Sequence, residues 1–189
     1  GLFAQSKGAQ AAGTETLTVA GGCFWCVESD FESVKGVKEA VSGFAGGTTA
    51  NPTYKQVTAG GTGHYEAVQI KFDPAVISRD TILSLFFRSI DPTDADGQFC
   101  DRGPSYRSAI FPQNAAQRAT ATAYIAALNK ARAFGKPVAT RIEGGQFFPA
   151  EGDYGRIPVW GIGTVIDPGQ TDLKAGDEYY GYYPMASYL

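Results

Sequence analysis

The stretch GGCFWCVESDF, residues 21–31, sets Cys23 and Cys26 three positions apart around Phe24 and Trp25. Two thiols in that spacing can exchange disulfides, hold half of a metal site, or supply one reactive sulfur beside an aromatic pocket. The thiolate is the nucleophilic form of cysteine, and a helix N-terminus favours it with free N–H groups and a positive dipole end. Phe24, Val27, Phe31 and Val34 repeat at helical spacing, and the preceding TLTVAGG alternates as a strand and ends in two glycines. Cys23 is therefore expected at a tight strand-to-helix turn. A small buried hydrophobe is the bland alternative for a cysteine there.

Glu66 is the second group with chemical potential. In HYEAVQIKFD, residues 64–73, a period of two places it with Val68, Ile70 and Phe72, opposite Tyr65, Ala67, Gln69 and Lys71. An acid on an inward face keeps its proton to higher pH and can act as a general acid. Two tyrosines offer hydroxyls: Tyr54 in NPTY, and Tyr106, expected to begin a strand after a long loop that carries Cys100 and Asp101. Phe24 and Trp25 could wall a site for a small apolar group such as a methyl.

Composition narrows the classes. The net charge is −3, so no basic field draws nucleic acid. No long apolar run spans a membrane. Three cysteines and one histidine, His64, could bind zinc, but only one C-x-x-C occurs, so no metal is expected. The chain opens on Gly rather than Met. With the small-residue arm, that leans toward export, leaving cytoplasm and bacterial periplasm both open.

The elements that would position these residues follow in order. Residues 1–15 read as a loose arm, 16–151 as the catalytic domain, and 152–189 as an irregular tail, rich in Gly, Pro and Tyr, wrapping the same domain. Strands are expected over 16–22, 36–47, 64–73, 106–111 and 136–143. Helices are expected from Cys23, over 78–90 with Ser78 as N-cap and Ile82, Leu85, Phe86 and Ile90 inward, and over 112–135. The pattern predicts an α+β two-layer sandwich with a ferredoxin-like core.

GGCFWC, NPTY, GHYEAVQI and FCDRGPSYRSAIF stand in the order and spacing of the type A peptide methionine sulfoxide reductases, and the chain resembles that family from about residue 16 to FFPAE at 147–151. The resemblance implies reduction of S-epimer methionine sulfoxide, free or in oxidised proteins. Cys23 would be the nucleophile, Glu66 the proton donor, and Tyr54 and Tyr106 the holders of the sulfoxide oxygen. Asp101 would organise the polar side, and Phe24 and Trp25 would receive the methyl. Thioredoxin or a similar dithiol would restore the enzyme without metal or organic cofactor. The family also implies a sulfenic acid on Cys23, closed by a second thiol. Many members use a tail cysteine for this, and this tail has none. Cys26, near by local geometry, is favoured over Cys100, and an external thiol is a third route. A DYHQ-like stretch usually follows PAE in the family, whereas this chain reads PAEGDYGRIPVW. A general thiol–disulfide oxidoreductase using Cys23 and Cys26, and a catalytically dead sulfoxide-binding module, are the competing readings. A monomer is the default expectation.

Overall fold

A computed structural model describes residues 13–150, together with the backbone of Ile157–Thr164 and Glu178–Met185. The chain divides into two units between Ala150 and Glu151. In the first, β1 (Glu15–Gly21), α1 (Phe24–Glu32), β2 (Val37–Ala45), α2 (Tyr54–Ala59), β3 (Tyr65–Phe72) and α3 (Arg79–Ser89) come first. The two-residue strands β4 (Gly97–Gln98) and β5 (Asp101–Arg102), a 3-10 turn (Pro104–Tyr106), β6 (Ser108–Phe111), α4 (Ala115–Ala131), β7 (Arg141–Ile142) and β8 (Phe147–Pro149) follow.

Six strands form one sheet in the order β7-β6-β1-β3-β2-β8. Its centre is antiparallel, β6-β1-β3-β2, with α1 joining β1 to β2 and α3 lying between β3 and β6. This is the split β-α-β order expected of the α+β core. Two apolar clusters hold it together. The larger joins Val19, Val68, Ile70 and Phe72 of the sheet to Phe24, Val27 and Phe31 of α1 and Ile82, Leu83 and Phe86 of α3. The smaller holds Ala20, Ala45, Tyr65, Ala67, Ala109 and Phe111.

The second cluster corrects one expectation. Tyr65 and Ala67, read as the outer face of β3, are buried as well. A period of two separates the faces of a strand but cannot say that both are covered. On α3 the buried set is Ile82, Leu83, Phe86 and Phe87, with Leu85 only packed at the margin. The expected strand at 136–143 shortens to Arg141–Ile142. The segment around Tyr54, outside the expected strands and helices, is a six-residue helix. Its signal was present: Thr53 and Gln56 form a capping box, the Thr53 hydroxyl accepting the Gln56 N–H and the Gln56 side chain accepting the Thr53 N–H.

In the second unit the stretch expected to hold little regular structure contributes an antiparallel pair, β9 (Ile157–Thr164) and β10 (Glu178–Met185). β1 already includes Glu15, which the expected arm, residues 1–15, had taken in. Residues 1–12 of that arm, and the proposed wrapping of the tail, lie outside the described residues.

The turn that delivers Cys23 depends on one glycine. Gly22 has φ +88°, and a Cβ there would come within 2.7 Å of the Gln98 Cβ. Gly22→Ala therefore combines a left-handed backbone strain with a clash against a buried side chain. Its unfolding free energy in urea is expected to fall by about 2 kcal/mol or more. An unchanged urea midpoint would mean that the turn is not constrained as described.

Candidate active site

Cys23 is the N-cap of α1 and half-buried. Its carbonyl accepts the N–H groups of Cys26 at 3.1 Å and Val27 at 3.3 Å, which starts the helix. Glu28 fixes α1 to the sheet by accepting the Ser42 N–H at 2.6 Å. The turn thus presents the Cys23 sulfur at the helix start, as the glycine pair and the change of period predict.

Its ionisation differs from the expectation. The amides of Cys26 and Trp25 do favour the thiolate, but burial outweighs them, and the Cys26 and Glu66 charges add to it. The thiol is pushed up to about 12. Burial penalises the charged form, and here it outweighs the donors at the helix end.

Glu66 lies across the sheet from Phe44 and is 2% exposed. Its Oε2 accepts the Phe24 N–H at 3.1 Å. The carboxyl, rather than the Cys23 side chain, thus takes a free donor at the head of α1. Its other oxygen, Oε1, is buried without a hydrogen-bond partner among the described residues. Burial pushes Glu66 up to about 7, the Phe24 amide opposes this, and the Asp101 charge adds to it. The expected inward acid with a raised pKa is therefore present.

The tyrosines converge from two other elements. Tyr106 does not begin a strand. It closes the 3-10 turn that follows Gly103, its N–H bonding the Gly103 carbonyl at 3.1 Å. Gly103 and Pro104 set this turn, a signal the strand-like SYRSAIF obscured. Burial first, then the charges of Glu66, Tyr54, Asp101 and Cys23, push the Tyr106 phenol up to about 12. Tyr106 is thus a persistent hydroxyl donor that shares its surroundings with four of the other candidates.

Three rings form an apolar wall beside them. Trp25 stacks on Tyr54 with centroids 5.8 Å apart, and Phe24 lies 5.2 Å from Trp25 and 6.1 Å from Tyr54. Phe44 backs Phe24 at 5.6 Å. Phe44 was not singled out from sequence. The sequence carries no local signal for it, because its place comes from the register that sets it opposite Glu66. Gln98 was missed too. It is 1% exposed, sits under Gly22, and exchanges bonds with the Asp91 backbone at 2.7 and 2.8 Å. His64 packs away from this chemistry, accepting the Gly47 N–H at 3.1 Å and lying 2.8 Å from the Thr49 carbonyl.

All three cysteines are free thiols, with Cys26 and Cys100 exposed. Cys26 shares the first turn of α1 with Cys23, and Cys100 lies at the tip of the β4–β5 hairpin. Among the described residues no group of three or more His, Cys, Asp or Glu side chains is placed to hold a metal, and no helix is long and apolar enough to cross a membrane.

A family model described as peptide methionine sulfoxide reductase matches residues 15–155, and one for a protein family of unknown function, DUF2855, matches residues 145–189. The chain is 50% identical over 141 residues to the peptide methionine sulfoxide reductase MsrA of Halalkalibacterium halodurans, covering 74% of this chain and 80% of that one. It is 49% identical over 177 residues to the MsrA/MsrB protein of Vibrio cholerae, covering 93% of this chain but spanning only 43% of that longer relative. The structure resembles Mxr1 from Saccharomyces cerevisiae in its reduced form, with a TM-score of 0.70 at 28% identity, covering 77% of this chain and 83% of that one. On the family match and the MsrA identity together, the chain belongs to the type A peptide methionine sulfoxide reductase family.

Proposed function

We propose that this chain reduces the S epimer of methionine sulfoxide, free or in polypeptides, to methionine. The observation that carries this reading is the pairing at the head of α1: a half-buried thiol as N-cap, and a buried acid bonded to the next amide. The three-ring wall formed by Phe24, Trp25 and Tyr54 suits an S-methyl group.

Chemistry at such a pair runs as follows. The Cys23 sulfur attacks the sulfoxide sulfur while the sulfoxide oxygen takes a proton from Glu66 Oε1. Tyr106 and Tyr54 hydroxyls donate to the same oxygen, and Asp101 orders the polar side. The oxygen passes to Cys23. In sum, thiol and sulfoxide become sulfenic acid and thioether, two electrons having moved from cysteine to methionine sulfur. A second thiol then displaces water from the sulfenic acid and forms a disulfide. An external dithiol returns both sulfurs to thiols.

Cys26 is the resolving thiol in this account. It shares the first turn of α1 with Cys23, is exposed, and its charge is felt at Cys23, whereas Cys100 stands on a separate hairpin. Thioredoxin suits the dithiol role, and Mxr1, the yeast protein cited above, has also been solved in complex with Trx2.

Two experiments test the proposal. With dithiothreitol as reductant, the protein is expected to consume S-methionine sulfoxide and leave the R epimer. Loss of both epimers, or of neither, contradicts it. After one reductant-free turnover, a peptide digest is expected to contain a Cys23–Cys26 linkage. Cys26→Ser should leave a sulfenic acid that dimedone traps, while Cys100→Ser still forms the disulfide. A Cys23–Cys100 linkage in wild type would reassign the resolving thiol.

A further inference from the structure

The hairpin β4–β5 turns on two residues, Phe99 and Cys100. Two-residue hairpin turns favour Gly, Asn or Asp where φ is positive. Here Phe99 occupies that position with φ +49°, a conformation a bulky side chain rarely adopts. The residue is 70% exposed, the most exposed of the large hydrophobic residues among the described ones. A strained backbone and an apolar ring in water are both unfavourable, so local stability does not account for this residue.

Nor is the hairpin loose. Gln98 is buried and bonded twice to the Asp91 backbone. Arg102 is paired with Asp94, and the Gly103 N–H bonds the Asp96 carbonyl at 2.9 Å. The ring is thus held out on a braced support.

The same hairpin belongs to the active site. Gln98 packs under Gly22, the residue before Cys23. Asp101, opposite Gln98 in the ladder, acts on both Glu66 and Tyr106. Phe99 is one residue from the first and two from the second, on the turn that joins them.

We infer that Phe99 anchors an apolar residue flanking the methionine sulfoxide in an unfolded polypeptide substrate. The inference rests on the reductase reading and extends it to what lies beyond the sulfoxide side chain. A free amino acid fills the ring-walled pocket and has nothing to place against the hairpin tip. A polypeptide carries its neighbouring residues across it. The reductant has a different target, the exposed Cys26 on α1, whereas Phe99 stands on the element that supplies Asp101.

The test compares wild type with Phe99→Gly and Phe99→Asn, both suited to the turn, using dithiothreitol as reductant. The substrates are N-acetyl-methionine sulfoxide amide and a ten-residue peptide with methionine sulfoxide between leucine and phenylalanine. In both variants kcat/KM for the peptide is expected to fall about fivefold through KM, from lost apolar burial. The small substrate should be turned over at the wild-type rate, and the thermal midpoint should hold or rise. Equal effects on both substrates, or no effect on either, would overturn the inference. Failure of wild type on the small substrate would instead overturn the reductase reading beneath it.

Discussion

Cys23→Ser is expected to lose methionine formation by about 10⁴-fold or more, the scale seen when a covalent nucleophile is removed. A serine hydroxyl in the same half-buried position has no comparable affinity for sulfur. The substitution leaves Phe24, Trp25, Tyr54 and Glu66 in place, so the variant should still bind a methionine sulfoxide peptide. Calorimetric titration of Cys23→Ser against oxidised and reduced peptide checks both points. Binding without turnover is the expected result. Residual turnover near the wild-type rate would remove Cys23 from the chemistry, and loss of binding with intact folding would show that the sulfur mainly shapes the pocket.

Glu66→Gln is expected to slow reduction by about 10²–10⁴-fold, the usual range for a general acid. The shape of its pH profile is the sharper test. In the free enzyme the pair loses a first proton near 7, from Glu66, and a second near 12, from Cys23. The reactive arrangement, thiolate plus protonated acid, holds one proton in total. Its share of the enzyme grows about tenfold per pH unit below 7 and is then constant while the pair keeps a single proton. Wild-type kcat/KM should therefore rise to a plateau near pH 7. In Glu66→Gln only the thiol titrates, so the rate should keep climbing to pH 9 without a plateau. A variant that still levels off near 7 would assign that ionisation to another group.

Glu66 also gives stability a pH dependence of defined sign. Its folded pKa, about 7, lies above its ordinary value of 4.5. The folded state thus retains a proton that the unfolded chain releases. The contribution is full below the lower value and is lost as pH rises through the upper one. Glu66→Gln should remove that dependence from the urea midpoint between pH 4.5 and 7.

Much of this site was legible in the sequence, for local reasons. The glycine pair and the switch from period two to helical spacing located Cys23, and the alternation of β3 located Glu66 on a buried face. What was not legible depended on distant packing. The helix end predicted a lowered thiol pKa, but burial reverses it. Tyr65 and Ala67 looked outward until a second cluster covered them. Gln98 carries no local signal, because its role comes from lying under Gly22. In the C-terminal stretch, glycines and prolines masked an alternation that pairs Ile157–Thr164 with Glu178–Met185. Phe99 stands apart, since a turn-compatible sequence would have placed a small residue there.

The most direct test of the central claim is stoichiometric. Fully reduced protein is mixed with excess S-methionine sulfoxide peptide and no reductant, and methionine formed and thiols lost are counted by mass spectrometry. The account predicts one methionine per chain and the loss of two thiols, Cys23 and Cys26, with Cys100 still free. Well-folded protein that forms no methionine, or forms it with Cys23 still a thiol, would contradict it.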